Sequence, residues 1–244
     1  AAGWGDTVND QGSASGGVGE VPTCTVRSCS PGSLLGLVAL IMAVVACALA
    51  VVKSHVTGAP FNFAVGDGRW YTLYATSLVV DHDLDFENQM RDHWGDELRP
   101  EDVARRTPRG LVWNKYPIGL SATLLPGTWC AHQASLLLHR LGAGRWCKPA
   151  GTSVLYQLSA LATVLGCAWG TMVLLQRLLV GRLGLAPRTA TWAVLAVCVG
   201  SPYLYYCVRL PLVVHVVSTF WFVLTITLAG AASSAADRGR VDVK

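Results

Sequence analysis

Charge is what this chain has least of. Only 14% of its 244 residues are Asp, Glu, Lys or Arg, against about 25% in ordinary soluble domains. The 19 basic and 15 acidic residues leave a net charge of +4, too even a balance for a nucleic-acid binder, whose affinity rests on clustered cations. With 52% apolar residues and a mean hydropathy of +0.42, the composition argues against a soluble globular protein. The eight cysteines form no framework. Cys47, Cys167 and Cys198 lie in apolar runs, where a thiol serves as a small hydrophobe. Cys24 and Cys29 have no histidine nearby to suggest zinc. A Cys130–Cys147 disulfide has in its favour only that both residues fall on the same side of the membrane in the four-span topology.

The missing charges are missing in blocks. No Asp, Glu, Lys or Arg occurs in 28–52, 116–139, 149–176, 189–208 or 210–236. Each block holds the roughly 20 residues that cross a hydrocarbon core about 30 Å thick. The sequence therefore predicts an all-α, polytopic transmembrane helical bundle. Residues 1–32, rich in Gly, Ser, Asp and Thr, read as a disordered polar tail. No signal peptide is evident, because Leu34 to Val52 is too long for an h-region and lacks a convincing cleavage site.

The block 116–139 also carries Pro117, Pro126, Gly127, His132 and His139, and either spans or lies half-buried on one side. Basic residues near span ends favour the cytoplasm, and they favour four spans, at about 34–52, 154–176, 190–208 and 211–231. The loop with Arg177, Arg182 and Arg188 and the tail 233–244 then share the cytoplasmic side. Residues 53–153 become one large outer loop, whose basic Arg140, Arg145 and Lys148 count for less because the loop is long.

Within that loop, Asp67 to Val80 places Trp70, Leu73, Tyr74, Ser77 and Leu78 at helical spacing, as in an amphipathic helix lying at a membrane interface. Asp67 stands between Gly66 and Gly68. Its carboxylate is either a helix N-cap or a group that meets a ligand with little shielding. The run Asp81 to Asp92 copies the oxygen spacing of a calcium loop, but Phe86 stands where such loops need glycine and Asp92 closes it in place of glutamate. It reads as a solvated acidic loop. Arg209 and Lys115 each either snorkel to headgroups or bind a phosphate. His215, in the uncharged run LPLVVHVVSTFW, is either hydrogen-bonded to a neighbouring helix or part of a site. Under four spans, Asp67, Lys115, Arg209 and His215 converge at one membrane surface.

Four blocks, GDGRWYTLYATSLVVDHDLDFEN (66–88), NKYPIGLSATLLPG (114–127), VLYQLSALATVLG (154–166) and SPYLYYCVRLPLVVHVVSTF (201–220), resemble in order and spacing the bacterial GT-C superfamily of polytopic glycosyltransferases. The likeness is to the branch of protein O-mannosyltransferases and aminoarabinose transferases. It covers residues 33–232 and implies an N-terminal part of a larger membrane enzyme of the bacterial cytoplasmic membrane, with its active site on the outer face. The implied reaction moves a sugar, with inversion, from a polyprenyl-phosphate donor to a lipid, glycan or protein acceptor, without nucleic acid. Asp67 matches the catalytic carboxylate. Arg69, Lys115 and Arg209 are the candidates for the donor phosphate, and Tyr71, Asp81, Tyr116 and His215 complete the implied site. No cofactor is certain. A divalent metal is the one candidate, and Gly68, where many relatives carry a second acid, speaks against a two-carboxylate metal site. A non-catalytic protein that binds a lipid-linked carrier or joins a glycosylation complex is the alternative. A small transporter fits less well, since no span carries an embedded Asp, Glu or Lys.

Overall fold

The computed structural model describes residues 31–58, 61–95, 98–143 and 147–241. Residues 1–30, with Cys24 and Cys29 and nearly all of the expected tail, lie outside the described residues. Among the described residues every regular element is a helix, apart from one isolated antiparallel bridge between Arg106 and Val112. The helices are α1 (Pro31–Thr57), α2 (Asp67–Thr76), α3 (Glu87–Trp94), α4 (Pro100–Ala104), α5 (Gly119–Arg140), α6 (Val154–Leu183), α7 (Pro187–Gly200), α8 (Pro202–Val208) and α9 (His215–Val241). A π-helical turn, Ser77–Asp81, prolongs α2.

Among the described residues three helices are long and apolar enough to cross a membrane: Gly32–Thr57, Val154–Leu183 and His215–Ser233. They correspond to three of the four expected spans. The fourth, expected as one span over 190–208, is two helices, α7 and α8, bent by 74°. Ser201 has an extended backbone and accepts a hydrogen bond from the Tyr203 N–H at 3.3 Å, capping α8. Pro202 has no N–H to continue α7 and biases the preceding residue away from helix, so the chain turns there. At its other end α9 runs on to Val241, so most of the expected tail from 233 is helical. The 22-residue α5 is not among the helices apolar enough to cross.

The central helix is α6, which packs against α1, α5, α7 and α9. In its most apolar window 44% is buried, against 17% for α1 and 17% for α9. Both outer helices turn large apolar side chains outward, among them Leu40, Val44, Val52, Trp221, Phe222 and Leu228. So much contiguous exposed hydrocarbon is costly in water and suits a surrounding lipid.

Two clusters fix the direction of each helix. At one end Leu35 of α1 meets Met172 of α6 and Val194 of α7. At the other, Ala46 and Ala50 of α1 share a core with Ala160 and Leu161 of α6, Cys207 of α8, and Leu212 and Val216 at the start of α9. α1 and α6 therefore run antiparallel, and the same end of the bundle receives the C-terminal ends of α1 and α8 and the N-terminal ends of α6 and α9. Segment 53–153 leaves and re-enters the bundle at that end. A third core of Trp70, Leu73, Phe86, Met90 and Val112 holds α2, α3 and the bridged hairpin together. The expected Asp67 helix is thus present but enclosed: Trp70, Tyr71, Thr72, Leu73, Ala75 and Thr76 are all buried, more sides than one amphipathic stripe would cover.

Candidate functional site

Four long-range tethers hold Asp67 at the end of the bundle. The side-chain oxygen of Gln157, buried in α6, accepts hydrogen bonds from the Phe63 N–H at 3.0 Å and the Ala64 N–H at 3.3 Å. Gly66 follows with φ +55° and ψ −127°, a backbone conformation that favours glycine. Gly68 lies against the loop before α9. A Cβ placed there would stand 3.1 Å from Leu212 Cβ and 3.3 Å from its carbonyl oxygen. From the other side Asn114 donates to the Trp70 carbonyl at 2.9 Å and accepts from the Tyr116 N–H at 3.0 Å. Ser121 donates to the Tyr71 carbonyl. These last two bonds bring Lys115 and Tyr116 onto the start of α2.

Asp67 itself is exposed and does not cap α2. The N-cap is Gly66, without a side-chain hydrogen bond. The carboxylate instead faces Lys115, whose Nζ is 3.8 Å from Oδ1. The ammonium also lies 5.3 Å from the Trp70 ring centroid and 4.9 Å from that of Tyr116, within cation–π range. Burial, and then the Asp67 carboxylate beside it, hold the Tyr116 phenol above its ordinary range. Tyr71, its ring 4.5 Å from that of Tyr116, is raised by burial and then by Asp67. Both phenols therefore stay protonated at neutral pH and available as donors. The result is one ionisable carboxylate beside one ammonium and two neutral hydroxyls at the mouth of an apolar bundle.

A groove of about 670 Å³ runs between α1 and the α7–α8 elbow, lined by Val38, Met42, Val45, Leu49, Leu204 and Val208, and among the described residues its single charged lining residue is Arg209. Arg209 also lines a small cleft with Lys53, Asn62 and Val65, the last of these two residues before Asp67. An apolar channel ending at a guanidinium and an ammonium can hold a hydrocarbon chain with an anionic head.

Asp67, Lys115, Tyr71 and Tyr116 are thus brought together, with Arg209 on an adjoining segment. The remaining candidates stand apart from them. Arg69 donates to the Ala64 carbonyl at 3.3 Å and stacks 5.6 Å from the Trp94 ring centroid. His215 begins α9 and rests on Tyr206, ring centroids 4.3 Å apart. Asp81 lies at the far end of the α2 π-turn and accepts from Asn88 at 3.0 Å and from Gln89. The acidic run around it is occupied with its own fold. Asp83 accepts from Ser77 at 2.8 Å, Glu87 pairs with Arg91 and Arg106 at 2.7 Å each, and Phe86 is buried. No group of three or more His, Cys, Asp or Glu side chains among the described residues is arranged to hold a metal. The single carboxylate of Asp67, already facing an ammonium, does not fit a divalent ion. Cys130 and Cys147 are free thiols, so the disulfide allowed by the sequence is not formed.

Gln157 and Asn114, on which the site's geometry depends, were not singled out in the sequence. Their only local sign is polarity: Gln157 interrupts the apolar run VLYQLSAL. Comparison with family models, with curated proteins and with solved structures finds no match for this chain.

Proposed function

We propose that this chain belongs to an integral membrane glycosyltransferase of the bacterial cytoplasmic membrane, moving a sugar from a polyprenyl-phosphate donor to an acceptor on the outer face. The observation that carries the reading is the juxtaposition of an exposed, tethered carboxylate, Asp67, with an apolar groove that ends at Arg209. Three to four apolar helices of spanning length support a membrane setting, and the four sequence blocks that resemble GT-C enzymes support the chemistry.

In this reading the polyprenyl chain lies in the groove between α1 and the elbow. Its phosphate meets Arg209 and Lys53, with Lys115 within reach from the Asp67 side. Asp67 accepts the proton of an acceptor hydroxyl. The hydroxyl oxygen forms a bond to the anomeric carbon from the face opposite the phosphate, and the carbon–oxygen bond to the phosphate breaks. The electron pair leaves with the polyprenyl phosphate, whose charge the cations offset, and the anomeric centre inverts. Before the acceptor arrives, the Asp67 carboxylate faces the Lys115 ammonium. Holding donor and acceptor at one depth supplies the proximity that such a reaction needs.

The test is transfer itself. The protein in lipid nanodiscs, given a radiolabelled polyprenyl-phosphate sugar, should release polyprenyl phosphate as label moves to acceptor. Carrier binding without turnover would overturn the enzyme reading and leave the non-catalytic carrier-binding alternative.

A further inference from the structure

We infer that the polar cavity on the far side of Lys115 is the acceptor site, and that the acceptor it takes is a saccharide. This rests on the glycosyltransferase reading and adds to it the chemistry of the second substrate.

The cavity lies where α4 and the Arg106–Val112 bridged hairpin fold back over α2. Its volume is about 330 Å³, and its lining includes Trp70, Trp113, Arg99, Asp102, Arg105 and Lys115. That size falls at the lower end of the roughly 300–1,000 Å³ range of small-molecule sites. In composition it is the opposite of the lipid groove, with two indoles among several charged side chains. A pyranose needs such a mixture, because its ring presents a face of C–H groups that packs on an indole while its rim of hydroxyls demands donors and acceptors. A lipid tail would leave these charges desolvated and unpaired.

The charges are arranged to be firm without being exhausted. Arg99 is held by Asp102 at 3.3 Å and Glu101 at 3.6 Å. Arg105 stacks 5.9 Å from the Trp113 ring centroid and makes no ion pair among the described residues. Its planar donors therefore remain for hydroxyl pairs or a sugar carboxylate. Trp113 keeps 40% of its surface exposed, which leaves indole surface for a ligand.

Lys115 gives the cavity its direction. It lines the cavity and also sits 3.8 Å from the Asp67 carboxylate. A saccharide seated against Trp113 and Arg105 reaches past Lys115 to Asp67. Its nucleophilic hydroxyl loses a proton to that carboxylate as its oxygen bonds to the anomeric carbon and the phosphate departs with the electron pair. Donor and acceptor thus enter from two sides, the carrier through the groove beside α1 and the saccharide through the cavity over α2.

A printed array of neutral and uronate-bearing oligosaccharides, probed with the full chain in nanodiscs, tests this. Saccharide retention is expected, falling at least tenfold in Trp113→Ala and Arg105→Ala and recovering in Trp113→Phe, while binding of a polyprenyl phosphate, read separately, is unchanged in all three. The neutral and uronate arms report whether Arg105 meets hydroxyls or a carboxylate. No retained saccharide, or retention indifferent to Trp113→Ala, overturns the inference. If the enzyme reading alone is wrong, the array signal and its Trp113 dependence persist while transfer from the donor is absent.

Discussion

Asp67 owes its exposure to its two glycine neighbours, and each glycine has a different physical reason. Gly66 supplies a positive φ, whereas Gly68 makes room for Leu212. A methyl at Gly68 must push the loop before α9 away, so Gly68→Ala should cost about 1–3 kcal/mol, read as a lowered thermal midpoint; an unchanged midpoint would show that the Leu212 contact is not tight. Gln157→Leu should leave the buried Phe63 N–H without its acceptor, at about 1–3 kcal/mol for one unsatisfied buried group, while the Ala64 N–H keeps Asn62 Oδ1 at 2.7 Å. The expected result is a destabilised protein whose residual activity falls more than its stability loss explains, because the linker that aims Asp67 is released. Activity that merely tracked the folded fraction would contradict that aiming role. The glycine–aspartate–glycine run was legible in the sequence. Its tethers were not, since Gln157 lies 94 positions from Phe63 and Asn114 lies 44 from Trp70, and no local pattern encodes such pairings.

The apolar helices were largely legible, because a run without charge states its own cost in water. The elbow was hidden by the same signal, since Thr189 to Val208 is apolar on both sides of Pro202 and the run masks the break. The enclosure of α2 was equally hidden. Helical spacing in Asp67 to Val80 predicts one buried stripe, whereas α3, α5 and the hairpin close on several sides. Within that unit His93 is buried beside Trp94, ring centroids 6.1 Å apart, with no hydrogen-bond partner for Nε2. Burial, and then the nearby charge of Arg69, push its pKa from 6.5 down to about 4. The unfolded chain therefore takes up this proton first as the pH falls. The stability due to neutral His93 is complete above about pH 6.5 and is lost between there and pH 4, a change of roughly 3 kcal/mol. Thermal midpoints followed across that interval should fall less steeply in His93→Gln than in the native chain. Parallel profiles would mean that His93 is not held neutral.

On the scale of the whole molecule, the account requires the end of the bundle that holds Asp67 to face outward and the end near Arg188 to face the cytoplasm. In a cysteine-free background, Arg109→Cys should react with an impermeant maleimide in intact cells, and Arg188→Cys only after the membrane is opened; both residues are exposed. Labelling of Arg188→Cys from outside would invert the bundle and place Asp67 away from any outer-face acceptor. The central claim joins this architecture to one atom pair, the Asp67 carboxylate and an acceptor proton. Its most direct test is sugar transfer by Asp67→Asn beside the native protein, with membrane insertion and polyprenyl-phosphate binding measured on the same preparations. The account predicts native insertion, native carrier binding and transfer reduced by about 10²–10⁴-fold. Transfer at the native rate by Asp67→Asn would contradict it.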